Sequence, residues 1–145
     1  MPKLNICKVK FIFEFGLLDN RYMQTSVTSG NHSQLVIPDS NNIGTVEFDV
    51  ELPTQIVLKF SGKNSATDTQ IDADGNIIRD MYVKINSISM DGFDLNKIFL
   101  HQKMKLLTES GQEIQTSYFG FNGISTIEMP ESSVFSQHLL MNSCL

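Results

Sequence analysis

The hydrophobic pattern of this chain has a period of two. From Cys7 the odd positions Cys7, Val9, Phe11, Phe13 and Phe15 are apolar, while Lys8, Lys10 and Glu14 take the other side and Ile12 is the exception. Successive side chains of a strand point to opposite faces, so this spacing predicts a half-buried strand. Thr45 to Leu52 alternates more cleanly still: Val46, Phe48, Val50 and Leu52 on one face, Thr45, Glu47, Asp49 and Glu51 on the other. A one-residue slip would drive three carboxylates into the core, so the register is strongly specified. Pro53 then ends the ladder, having no N–H to donate.

Further strands are predicted over Gln55–Phe60, Met81–Met90, Ile98–Leu107, Glu113–Phe121 and Ile124–Met129. In Met81–Met90 the apolar phase changes near Asn86-Ser87, which predicts a β-bulge. Glu109-Ser110-Gly111-Gln112 and Asn122-Gly123 read as turns. The segment 19–44 is rich in Ser, Asn and Thr and predicts one strand, Gln34–Ile37, between long polar loops. The segment after Pro130 reads equally as a short helix capped by Ser132 or Ser133 or as one more strand. No other stretch holds a 3.6-residue stripe for three turns. The prediction is an all-β chain, one antiparallel β-sandwich of jelly-roll type spanning residues 1–145 as a single domain.

Composition narrows the function classes. There are 11 Lys and Arg against 16 Asp and Glu, a net charge of −5, while Ser, Thr, Asn and Gln make up 43 of the 145 residues. The acidic balance argues against a nucleic-acid partner. No apolar run approaches the roughly 18 residues of a membrane-spanning helix, and the N-terminus lacks the features of a cleaved leader, so synthesis in a cytoplasm is expected. Cys7 and Cys144 lie near opposite ends, either bridged or two separate thiols.

The most pointed group is Asp68-Thr69-Gln70-Ile71-Asp72-Ala73-Asp74-Gly75, continuing to Asp80. Oxygen ligands at this density suit calcium, yet an EF-hand frame centred on Gly75 puts Gln70 and Met81 where carboxylates are required. The other reading is a tight turn with Gly75 in the left-handed region. Asp91-Gly92-Phe93-Asp94-Leu95-Asn96 is a second turn of the same kind. If the loops after Phe60 and after Met90 share one end of the sandwich, Asp68, Asp72, Asp74, Asp91 and Asp94 form a composite calcium site, with Asn96 near it as a ligand-binding candidate. Tyr118 and Tyr82 read either as parts of core and turn or as an exposed platform for a sugar. His32, His101 and His138 are scattered, and no catalytic motif is present, so no enzyme is expected.

The segments KFSGKNSATDTQIDADGNIIRDMYVKINSISMDGFDLN (Lys59 to Asn96) and SYFGFNG (Ser117 to Gly123) resemble small β-rich proteins encoded by tailed bacteriophages, especially those of marine cyanobacteria. The order of strand, FSGKN-like loop, acidic turn, strand and DG turn is also similar to calcium-dependent xylan-binding modules. The resemblance implies a non-catalytic virion protein, made in a host cytoplasm and carried into the particle. It would serve as a host-attachment or decorating subunit that binds glycan through calcium. The alternative is a purely structural capsid or tail subunit that contacts copies of itself or other virion proteins.

Overall fold

A computed structural model describes residues 6–51, 54–64, 68–94 and 104–129. The alternating segments became strands where expected. β1 (Ile6–Gly16), β4 (Ile43–Glu51) and β8 (Tyr82–Met90) form the centre of one antiparallel sheet, ordered β12-β8-β1-β4 with β9 (Phe93–Asp94) on β8. The second sheet runs β11-β10-β13-β5-β2-β3, built from β2 (Gln24–Ser29), β3 (His32–Val36), β5 (Thr54–Ser61), β10 (Lys105–Thr108), β11 (Glu113–Gln115) and β13 (Gly123–Met129). A small ribbon, β6 (Thr69–Ile71) with β7 (Ile77–Asp80), completes the described strands, and β12 is Tyr118–Phe119. The chain passes between the two sheets repeatedly, from β1 to β2, from β3 to β4, from β4 to β5 and from β11 to β12. The antiparallel β-sandwich expected from the sequence is the fold observed.

Alternation sets the core. Val9, Phe11 and Phe13 of β1, Val83 and Ile88 of β8, and Ile56 and Leu58 of β5 are fully buried in one cluster between the sheets. Phe11 stacks on Phe13 and on Phe48, and Phe60 of one sheet stacks on Phe119 of the other with ring centroids 4.4 Å apart. On the outer face Lys10 sits opposite Glu47 and Lys8 opposite Asp49, so the charges left by the alternation pair across strands.

The phase change in β8 is a bulge. Ile12 pairs with Ser87 and Phe13 with Ile85, leaving Asn86 as the extra residue, which returns Ile88 and Met90 to the core face. The Asp91-Gly92 turn has φ of 49° and 86°, the left-handed pair that a two-residue hairpin needs.

Two expectations need correction. Segment 19–44 holds a hairpin, β2–β3, where the sequence reading placed only Gln34–Ile37. Met23, Thr25 and Val27 are buried and alternate with Gln24, Ser26 and Thr28, and Gly30 at φ 57° opens the two-residue turn. A buried threonine carries the period that an apolar count misses. The segment Glu113–Phe121 is not one strand: β11 pairs with β10 in the second sheet and β12 pairs with β8 in the first, so the chain crosses the sandwich at Thr116-Ser117. Of the strand expected over Ile98–Leu107, β10 begins at Lys105; residues 95–103, including Asn96 and His101, lie outside the described residues, as do 130–145 with Cys144.

Gly123 pairs with Phe60 and Thr108, and a Cβ there would lie 2.2 Å from the Leu107 carbonyl oxygen. That oxygen belongs to the ladder and has nowhere to go. Gly123→Ala is expected to cost about 1–3 kcal/mol, the range for overpacking a tight site. Gly30→Ala, which meets no atom within 4 Å, carries only the strain of its positive φ. Urea unfolding of the two variants checks the order.

Candidate functional site

The first sheet's outer face carries a tyrosine pair at one end. Tyr82 opens β8 directly opposite Gly16 of β1, and Tyr118 sits on β12 opposite Lys84. The Tyr82 ring lies over Gly16, where a Cβ would fall 2.1 Å from its Cε1. The absent side chain is therefore what lets the ring lie down on the sheet. The Tyr82 ring also stacks on Tyr118, with centroids 4.7 Å apart and an interplanar angle of 21°. Tyr82 is thus committed to its neighbours, while Tyr118 remains 41% exposed.

Both hydroxyls are anchored. Tyr82 donates to Glu14 Oε2 at 2.8 Å, and Tyr118 donates to Asp80 Oδ2 at 2.8 Å. Burial, then the hydrogen bond to the carboxylate, raises each phenol above its usual pKa. The other Asp80 oxygen accepts from Lys63 Nζ and Thr69 Oγ1, both at 2.6 Å. Burial pushes this carboxyl upward, but the bonds from Lys63, Thr69 and Tyr118 outweigh it and hold Asp80 below the ordinary aspartate value.

Lys63 is the unexpected member. Its side chain is 3% exposed and that of Asp80 11%. The ammonium also donates to the Gly120 carbonyl and lies 5.7 Å from the centroid of the Phe121 ring. Asn122 clamps the Lys63 backbone at both its N–H and its carbonyl. Beside this network, Tyr118, Asp80, Thr116, Ile114, Ile77 and Phe121 line a groove of about 390 Å³. An aromatic face, a charged anchor and an apolar wall thus meet in one concave place.

The acidic candidates are distributed, not assembled. Asp68 is fully buried, with Arg21 Nη2 at 2.6 Å from its Oδ1 and the Asn64 N–H at 2.7 Å from its Oδ2. Asp72 Oδ1 accepts the N–H groups of Asp74 and Asn76 and so folds the turn at Gly75, whose φ is 84°. Asp91 accepts from the Lys8 N–H, and Asp94 pairs with Ser89. The composite site expected from the sequence needs both loops at one end. Instead Asp68 bonds Met81, just before β8, and Asp91 follows the last residue of β8. A nine-residue strand separates them by about 30 Å at roughly 3.3 Å per residue. Among the described residues no three His, Cys, Asp or Glu side chains gather where a metal ion could sit. Asp68 and Asp72 on one side and Asp91 and Asp94 on the other thus keep separate partners at the two ends of β8.

Of the residues singled out from sequence, the structure brings Tyr82 and Tyr118 into contact. It adds Lys63, Asp80 and Glu14, which the sequence reading left out of the site. Lys63 sits in a Ser-Gly-Lys-Asn loop that reads as solvated, and only the non-local Gly120 carbonyl and Asp80 reveal its burial.

No family model matches the chain, and no curated protein matches it. Among solved structures, a calcium-dependent carbohydrate binding module, vCBM60 in its selenomethionine form, is similar with a TM-score of 0.47 and 9% identity, over 84% of this chain and 90% of that one. Calcium and carbohydrate are properties of that module.

Removing one member of a buried ion pair strands the other. Lys63→Met is expected to destabilise the fold by about 3–5 kcal/mol, and Lys63→Met with Asp80→Leu by less than Lys63→Met alone, as read by urea unfolding. The pH profile follows from the shifts. Asp80 is depressed, so its contribution is present above the unfolded value of about 3.9 and is lost as pH falls through its lower folded value. Tyr82 and Tyr118 are raised, so their contribution is complete below about pH 10 and is lost as pH rises through their folded values. Melting temperature against pH should fall at both extremes, and Tyr118→Phe should flatten the alkaline limb.

Proposed function

We propose that this chain is a non-catalytic binding domain that recognises a saccharide at the Tyr118 face. The observation that carries the reading is the fixed ring of Tyr118, backed by Tyr82, held by Asp80, and left open beside a groove. A sugar presents apolar C–H faces and polar hydroxyls, so it suits a rigid aromatic surface beside hydrogen-bonding groups. Because both phenol oxygens are already bonded to carboxylates, the ring face, not the hydroxyl, is the binding element.

The placement in a phage particle, with synthesis in a host cytoplasm and a role as host-attachment or decorating subunit, belongs to this proposal and rests on the sequence resemblance over Lys59–Asn96 and Ser117–Gly123. The calcium-bridged form of the reading is not the one favoured, since Asp68 is matched by Arg21 and Asn64 and Asp91 lies at the far end of β8. The structural-subunit reading has its own supporting observation, the exposed Leu35, Leu107 and Ile124 on the second sheet.

Calorimetric titration with a panel of neutral oligosaccharides tests the proposal. Binding by the wild type and a loss of at least tenfold in Tyr118→Ala, about 1.4 kcal/mol, are expected; no heat with any member of a broad panel would end the reading. A calcium melt decides the cation question. A site filled at 100 times its dissociation constant adds about 2.7 kcal/mol, or roughly 5–10 °C for a chain of this size, and a shift of that size is not expected.

A further inference from the structure

The outer face of the second sheet differs in kind from that of the first. The first sheet's outer face is dense in charge, with Lys8, Lys10, Lys84, Glu14, Glu47, Asp49 and Glu51. On the second sheet the strand register lines up one row across six strands: Leu35, Ser26, Lys59, Ile124, Leu107 and Glu113, from β3 to β11. Residues directly opposite in register point the same way. Within this row Leu35 is 63% exposed, Leu107 51% and Ile124 39%. Within the row the exposed apolar pair Ile124–Leu107 is flanked by one positive and one negative residue, Lys59 and Glu113, with Ser26 and Leu35 beyond Lys59.

That order is self-complementary. A two-fold axis parallel to the strands and passing between β13 and β10 reverses the row onto itself. Ile124 of one copy then faces Leu107 of the other, and Lys59 faces Glu113, each contact occurring twice. In the neighbouring row, two residues along, the same axis sets Val57 against Gln115 and Thr126 against Lys105, with no like charges opposed. Axes one strand to either side fail: between β5 and β13 Lys59 faces Ile124, and between β10 and β11 the overlap shrinks to those two strands. We infer that the second sheet's outer face is an isologous interface between two copies of this chain, closed by Ile124–Leu107 contacts and locked by Lys59–Glu113 pairs.

Two sheets packing face to face lie with strands nearly aligned, as this axis requires. The overlap covers β5, β13, β10 and β11, about 19 Å across at roughly 4.8 Å per strand, which makes a small interface and a concentration-dependent dimer. Glu113 also meets Lys105 of its own chain at 3.1 Å, both well exposed, and that pair is free to be shared. The two Tyr118 faces point away from each other in such a dimer, so the inference does not depend on the saccharide reading.

Sedimentation equilibrium on the full chain, taken up to the millimolar range, tests it. The wild type is expected to dimerise. Lys59→Glu and Glu113→Lys are each expected to raise the dissociation constant at least about tenfold, because each opposes like charges twice. The double variant Lys59→Glu/Glu113→Lys restores the pairing and should recover dimerisation. Leu107→Asp should be monomeric with an unchanged far-ultraviolet dichroism spectrum. A wild type that stays monomeric throughout, single reversals that leave the dimer intact, or a double reversal that fails to recover it would each overturn the inference.

Discussion

The Asp80 carboxylate receives donors from three separate parts of the chain: Lys63 after β5, Thr69 of β6 and Tyr118 of β12. These parts are the loop that leaves the second sheet, the ribbon and the first sheet. A buried carboxylate stays charged only while its donors stay in place, so the corner of the sandwich where β5, β7 and β12 meet is fixed by this one group. The tyrosine face follows from it. Without Asp80 the Tyr118 hydroxyl loses its anchor and the groove loses its polar wall.

The rest of the fold supplies the platform on which this corner is built. The run Val9, Phe11, Phe13 sits fully buried at the middle of β1 and receives β4 on one side and β8 on the other. Register there is over-determined, because a slip on either side would bury charges. The Asn86 bulge keeps β8 in phase with β1 along its whole length, and so fixes where Tyr82 lies relative to Gly16. Position of the ring is thus a consequence of core packing several residues away.

Much of this was legible in the sequence wherever apolar alternation was strict, as in β1, β4 and β5, and the bulge could be read from the phase change at Asn86-Ser87. The β2–β3 hairpin was hidden because Thr25 takes a core position that an apolar count scores as surface. The split of β11 from β12 was hidden because Thr116-Ser117 carries no glycine or proline to mark a change of sheet. At the site, the two tyrosines could be named as a pair, but the Lys63–Asp80 anchor could not. A lysine next to glycine and asparagine looks solvated until its partners, 17 and 57 residues away, are placed beside it. The same limit explains the acidic loops: local density of aspartate says nothing about whether Asp68 will meet a metal ion or Arg21.

The most direct measurement is amide chemical-shift mapping of the isotope-labelled protein during saccharide titration. Saturable shifts clustered at residues 80–84 and 116–121, at the corner organised by Asp80, are what the account predicts. Shifts confined to the loops around Asp72 and Asp91, or spread over the second sheet around Ile124, would contradict it.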